Sequence, residues 1–252
     1  MRTSDIAREL GIHVNTVRLY EVQGFLPEIP RGTNGYRQYT RLHLEQARLA
    51  HIATHWPYLP QQKPLLNDLV RCAAVGDLEM AMELAYQYLT SVRVEQTHAE
   101  AAVAFLERWA AGYVQDASAQ KMHIREASHH LNVTIDMLRN WERNGLIEVP
   151  RDTTNGYRLY GTSELGRLRV IRVLVQSGYG QMAILRMLRQ FDSGQTHNLR
   201  EALHLPPDES ANEAIEIIAD RWLASLVSLE ARAQSIIRQL THLIELTHNP
   251  PT

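Results

Sequence analysis

Two short stretches of the chain bring arginine, asparagine and tyrosine together in the way a nucleic-acid surface requires. The first holds Asn15, Thr16, Arg18 and Tyr20, followed by Tyr36, Arg37 and Tyr39 in "NGYRQY". Arginine can grip guanine with two parallel hydrogen bonds, asparagine can do the same for adenine, and each good pair gives about 1–3 kcal/mol of discrimination. Arginine and tyrosine can also hold the sugar-phosphate backbone and set register, and a tyrosine can brace a loop. The second stretch holds Met137, Arg139 and Trp141, followed by Tyr157, Arg158 and Tyr160 in "NGYRLY". Where the first stretch has Asn15 and Thr16, the second has Asp136 and Met137. An acid repels phosphate and accepts only from a donor such as the cytosine amino group, while methionine offers apolar contact alone. The two readers are therefore unequal, and their target is expected to be an imperfect palindrome. The alternative is a second stretch that mainly holds the backbone.

These residues must be positioned by something, and the chain supplies the same device twice. The asparagines of the two turns, Asn34 and Asn155, are 155 − 34 = 121 positions apart. That offset also aligns Leu10 with Leu131, Val17 with Leu138, Arg18 with Arg139, Glu21 with Glu142 and Gly24 with Gly145, without a gap. In each copy a short amphipathic helix (Ser4 to Leu10 in the first) ends at a residue suited to a left-handed cap, Gly11. A second helix begins around Asn15 and stops at Gly24, giving a helix-turn-helix. The segment "GFLPEIPRGTNGYRQY" then reads as brief extended pieces around a glycine turn, the pattern of a hairpin wing. Asn-Gly suits the positive backbone dihedrals of such a turn. Ile6, Leu10, Val17, Leu26, Leu131, Leu138 and Ile147 are assigned to packing.

The run "TSDIARELGIHVNTVRLYEVQGFLPEIPRGTNGYRQYT" resembles the N-terminal winged helix-turn-helix of MerR-type transcription regulators. The second copy is similar further on, through "LGRLRVIRVLVQSGYGQMAILRML", the helix pair that follows the wing in that family. The first copy departs there, because Pro57, Pro60 and Pro64 interrupt the helical pattern. The resemblance implies a mainly α fold with two winged helix-turn-helix domains and a regulator of double-stranded promoter DNA. Such regulators distort the spacer between promoter elements and so act indirectly on RNA polymerase. The expected organisation is a first reader over 1–58, a helical middle over 59–118, a second reader over 121–192 and a C-terminal coiled-coil helix over 211–247.

Leu65 to Val114 reads as helical, broken around Gly76. Trp56, Tyr86, Phe105, Trp109 and Tyr113 gather in the middle region. The resemblance would make them the lining of a small-molecule effector pocket; an ordinary helical core is the preferred reading. Farther on, Ile215, Ala219, Trp222, Leu226, Leu229, Ala233, Ile236, Leu240 and Leu243 alternate at spacings of four and three, a coiled-coil seam. Ala99, Ala102, Leu106, Trp109 and Tyr113 repeat the alternation before the second reader. Relatives in the family pair through long antiparallel helices, so the two seams are expected to pair within one chain as a pseudo-dimer, in preference to a homodimer.

The remaining function classes are narrowed by composition. The 252 residues carry a net charge of −2, with 44% hydrophobic and 21% charged residues, enough for a buried core. From Lys121 to Arg172 basic residues outnumber acids, so a local basic face can sit in a near-neutral chain. The single cysteine, Cys72, excludes a disulfide framework and suits a reducing cytoplasm. No apolar run approaches a membrane span, and the start does not read as a signal peptide. His51 and His55 have helical spacing but lack further ligands, so no metal site is assigned. With no phosphate loop, nucleophile elbow or acid-base pair, neither an enzyme nor a cofactor is expected. The rival from another class is a ligand-sequestering or protein-interaction module that retains degraded readers.

Overall fold

A computed structural model describes residues 1–54, 62–113, 121–203 and 222–248. Trp56, His55 and the seam positions Ile215 and Ala219 lie outside the described residues. The fold is mainly α. Its helices are α1 (Thr3–Leu10), α2 (Val14–Val22), α3 (Arg41–Thr54), α4 (Lys63–Ala74), α5 (Leu78–Ala110), α6 (Ile124–Leu131), α7 (Ile135–Arg143), α8 (Thr162–Gln176), α9 (Gln181–Asp192), α10 (Leu199–Ala202) and α11 (Trp222–His248). Extended pairing among the described residues is confined to isolated antiparallel bridges, Arg31 with Arg37, Met122 with Tyr160 and Arg151 with Arg158.

The chain divides into two compact units. Unit 1 comprises Met1–Arg93 and Val227–Thr252, and unit 2 comprises Val94–Leu226. Each contains one helix-turn-helix, and the local chemistry that sets its helices is shared. The Asp5 carboxylate accepts the Arg2 N–H at 2.7 Å at the start of α1, and Glu126 accepts the His123 N–H at 2.8 Å at the start of α6. Both carboxylates thereby satisfy a donor that the first helical turn leaves over. Gly11 ends α1 in the left-handed region at φ 65°, and Asn132 ends α6 there at φ 50°. Asparagine is the non-glycine residue that tolerates this conformation at least cost, so the cap survives the exchange.

In unit 1, Ile6, Val17, Tyr20, Leu26, Leu44, Leu49, Leu66 and Leu69 are buried, whereas Leu10 is only half-buried. α3 ends at Thr54 and a separate helix, α4, begins at Lys63, within the region expected to be helical from Leu65; Pro57 and Pro60 lie outside the described residues. Pro64 stands in the first turn of α4, where its missing N–H costs nothing. The buried Gln46 amide of α3 donates to the carbonyls of Ala73 and Ala74 at 3.0 and 3.2 Å, capping the far end of α4. Gly76 then turns the chain at φ 88° into α5, as the broken helical pattern indicates. Also within unit 1, Arg93 of α5 pairs with Glu230 of α11 at 2.9 Å. Tyr88, five positions earlier, lies beside Arg232, so the two helices run antiparallel there.

The terminal seam is buried at Trp222, Leu226, Leu229, Ala233, Ile236, Leu240 and Leu243. The seam of α5 starts earlier than the sequence pattern indicates, with Ala81, Ala85, Tyr88 and Val92 buried, then Ala99, Ala102 and Leu106. Trp109 and Tyr113 leave it. In unit 2 the Trp109 ring lies 4.5 Å from that of Phe191, and Tyr113 is 80% exposed. Tyr179 of unit 2 is buried, and its hydroxyl donates to the Ala99 carbonyl at 3.3 Å. Burial raises the pKa of that hydroxyl strongly, so it stays a donor.

Candidate nucleic-acid interface

The reader of unit 1 is built on α2. The His13 ring accepts the Asn15 N–H at 3.2 Å and caps the helix, which leaves Asn15 and Arg18 exposed and Thr16 half-exposed on its outer side. Tyr20 faces the opposite way. It is 4% exposed, with its hydroxyl 3.5 Å from the His51 ring, and burial raises its pKa.

The hairpin that follows is short but closed. Gly32 N–H donates to Tyr36 O at 2.9 Å and Gln38 N–H to Pro30 O at 2.8 Å, on either side of the Arg31–Arg37 bridge. Gly35 sits at φ 76°, whereas Asn34 is not in the left-handed region. The asparagine acts through its side chain, which accepts the Tyr36 N–H at 3.2 Å and spans the glycine. Tyr36 is 63% exposed, and the Arg2 guanidinium lies 5.7 Å from its ring centre. Glu21, near the end of α2, ties this loop down. It accepts Arg37 Nε at 2.7 Å and also the Tyr39 hydroxyl. Tyr39 is 3% exposed, and burial together with the Glu21 bond pushes its pKa to about 12. The Glu21 hydrogen bond and charge hold the Arg37 guanidinium firmly protonated, with its pKa raised.

Unit 2 repeats the plan with different chemistry. Thr134 caps α7 by accepting the Met137 N–H at 3.1 Å. Asp136 is 92% exposed and stands 3.6 Å from Arg139, so the acid of this helix faces an arginine of the same helix. Trp141 is 2% exposed and Tyr160 1% exposed. Arg158 Nε donates to Glu142 at 2.6 Å, with Arg151 3.9 Å away on the other carboxylate oxygen. Unlike Tyr39, the buried Tyr160 hydroxyl has no hydrogen-bond partner among the described residues. Asn155 accepts the Tyr157 N–H at 2.9 Å, and Gly156 takes φ 72°.

The gapless offset hides a compensated shift. Arg31 bridges to Arg37, six positions on, but Arg151 bridges to Arg158, seven positions on. Arg31 is thus the counterpart of Arg151, and the turn of unit 2 is longer by one residue. Asp152 stands where unit 1 has Gly32, by the matching hydrogen bonds to Tyr157 and Tyr36. Its carboxylate accepts the Thr154 hydroxyl and N–H, which lowers its pKa.

The sequence-derived set therefore separates. Asn15, Thr16, Arg18, Tyr36, Met137, Arg139 and Tyr157 reach the outer side of their units, Thr16 and Met137 only partly. Arg37 and Arg158 are half-buried and tied to carboxylates. Tyr20, Tyr39, Trp141 and Tyr160 are inside, where they brace the reader. Arg125 and Arg151 were missed; with His123, Arg139, Tyr157 and Arg158 they line a groove of about 650 Å³ in unit 2. The excess of basic residues from Lys121 to Arg172 was the signal for them. The middle-region aromatics do not assemble. Tyr86 is 54% exposed in unit 1, while in unit 2 Phe105 is half-buried, Trp109 packs on Phe191 and Tyr113 is exposed. Among the described residues no group of three histidine, cysteine or acidic side chains is placed to hold a metal ion. No helix among them is long and apolar enough to cross a membrane.

Comparison with known proteins falls on the same two readers. A family model described as "MerR family regulatory protein" matches residues 2–39, and one described as "MerR HTH family regulatory protein" matches residues 122–190. The transcriptional regulator HmrR of Sinorhizobium medicae is 30% identical over 128 residues, 50% of this chain and 77% of its own length. The heavy metal-dependent transcription regulator 2 of Rhizobium meliloti is 29% identical over the same shares. MerD of Shigella flexneri is 23% identical over 47% of this chain and 92% of its own. No solved structure matches the chain. Most of each relative's length is thus accommodated in half of this one, and the readers match family models at both places: the chain belongs to the MerR family and is a DNA-binding transcription regulator, not an enzyme.

Proposed function

We propose that each unit carries one reader of double-stranded promoter DNA and that a single chain does the work of a regulator pair. The observation that supports this best is the repeated exposed basic surface: Asn15, Arg18, Arg31 and Tyr36 in unit 1, and Arg125, Arg139, Arg151 and Tyr157 in unit 2. Arg18 and Asn15 read base edges, the hairpin arginines hold phosphates, and Glu21 and Glu142 fix each hairpin to its reading helix. Unit 2 grips more than it reads, because Asp136 engages Arg139 and Met137 offers no hydrogen bond. A backbone grip at two places distorts the DNA between them, and the cost of that distortion depends on sequence. RNA polymerase is then affected indirectly, through the realigned promoter. Contacts of α11 with α3 and α5 inside unit 1 favour pairing within the chain over a homodimer.

A small-molecule effector acting on unit 1 has a cleft of about 580 Å³ to use, which shares Thr16, Leu19 and Tyr20 with the reading helix. Occupancy there would shift α2 against the hairpin.

The test is binding of the full chain to its promoter DNA at rising salt. A functional reader pair gives a steep decline of log affinity with log salt, and Arg151→Ala makes that slope shallower by about one unit. Retention on DNA that is indifferent to salt would favour the rival reading, a protein-interaction module with degraded readers.

A further inference from the structure

The two readers are held by different helices through contacts of opposite chemistry. In unit 1 the helix against α3 is α11. Its Gln239 amide donates to the Glu45 carboxylate at 2.9 Å and to the Glu45 carbonyl at 3.1 Å. Glu45 is 3% exposed and also pairs with Arg41 and Arg48, each at 3.1 Å. Burial alone would raise its pKa, but the Gln239 amide and the two guanidiniums outweigh it and hold the carboxyl ionised. A buried carboxylate of this kind needs its donors, and Gln239 supplies the one that comes from outside α3.

Unit 2 has the opposite arrangement at the matching place. Position 45 + 121 = 166 of α8 is a glycine, and the helix against it is α5. A Cβ on Gly166 would lie 3.2 Å from the Trp109 indole nitrogen, so the missing side chain is what admits the indole. The ring then stacks against Phe191.

We infer that these contacts are not interchangeable, so that each reader accepts the helix belonging to the other copy and rejects the helix of its own. With α5 in the place of α11 and Trp109 where Gln239 stands, the Glu45 carboxylate and its arginines would occupy the space the indole needs. With α11 in the place of α5 and Gln239 where Trp109 stands, Gly166 would leave a void and an amide with no acceptor side chain. The surface on α3 thus fits a glutamine-bearing helix, and the surface on α8 a tryptophan-bearing one. The partner selected is the unlike copy. This inference does not depend on which DNA is bound, and its test reads stability.

Single substitutions in the full chain reproduce each forbidden pairing. Gln239→Trp sets tryptophan against Glu45, and Trp109→Gln sets glutamine against Gly166. Each is expected to lower the thermal midpoint by roughly 5–10 °C. Adding Glu45→Gly to the first, or Gly166→Glu to the second, recreates the other unit's pair and recovers at least half of the loss. Should Gln239→Trp fail to accumulate as folded protein, Gly166→Ala gives a milder form of the clash. It lowers the midpoint while Trp109 is present and not in the Trp109→Gln background, although alanine ordinarily favours a helix over glycine. Double variants whose losses are simple sums of the singles would overturn the inference, as would a Gly166→Ala chain more stable than the parent.

Discussion

The readers of the two units share a scaffold and differ in what they leave free. In unit 1 Glu21 bonds both Arg37 and the Tyr39 hydroxyl, so helix, hairpin arginine and buried tyrosine form one closed set. In unit 2 Glu142 holds Arg158 and lies near Arg151, but the buried Tyr160 hydroxyl has no hydrogen-bond partner among the described residues. On the outer side the bias reverses: unit 1 presents uncharged Asn15, while unit 2 presents Asp136 against its own Arg139. A duplicated motif has thus kept its architecture and diverged where architecture does not constrain it. The same shared residue types need not do the same work.

The largest expected effect lies in the closed set. Glu21→Ala removes the partner of a half-buried guanidinium and of a buried hydroxyl together, and should cost unit 1 roughly 2–4 kcal/mol in chemical denaturation. Tyr39→Phe should cost about 1–2 kcal/mol, whereas Tyr160→Phe should be neutral or slightly stabilising, because no bond is lost. Equal losses for the two tyrosine variants would break the comparison. The sign with pH follows from Tyr39: folding holds it neutral up to about pH 12 against an ordinary value of 10.0. Its contribution is therefore complete below pH 10 and is lost as pH rises toward 12, and Tyr39→Phe should remove that alkaline loss.

Next in size are the reading arginines. Arg18→Ala should weaken binding to the preferred site by about 1–3 kcal/mol and relax base preference in one half-site. Arg139→Ala should do less, since Asp136 already engages that side chain. A selection experiment returning a perfect palindrome, with matching losses from both arginines, would count against unequal readers.

The smallest effect is the gain expected from Asp136→Ala. Removing an exposed acid that faces phosphate and releasing Arg139 should tighten binding by roughly two- to five-fold at low salt, and by less at high salt. Weaker binding would instead make Asp136 a reader of a base donor.

Much of this was legible in the sequence because periodic signals survive duplication. The cap at Gly11, the two turns at Gly35 and Gly156, and the seam from Trp222 to Leu243 each follow from spacing and residue type. What was hidden is physical in each case. A proline that reads as a break also opens a helix, so α4, although expected as helix from Leu65, was assigned to the middle region and not to the first copy. The one-residue shift within the hairpins cancels over the motif, leaving no gap to see. Tyr20, Tyr39, Trp141 and Tyr160 have side chains suited equally to a backbone contact and to a core, and only the fold decides between them. Glu21 and Glu142 align in the sequence, yet nothing in their type announces that they bind arginines sixteen positions away.

The packing of α11 against α3 through Gln239 and Glu45 takes place inside one chain, and this bears on dosage. A contact between separate molecules weakens on dilution, so a regulator assembled from two chains loses its active form as copy number falls. Here the contact that anchors α11 to the first reader is unimolecular. Promoter occupancy by such a chain should rise with the first power of its concentration. The two unlike readers are also always synthesised one to one. A cell holding only a few molecules would keep a graded response, with none of them idle for lack of a mate.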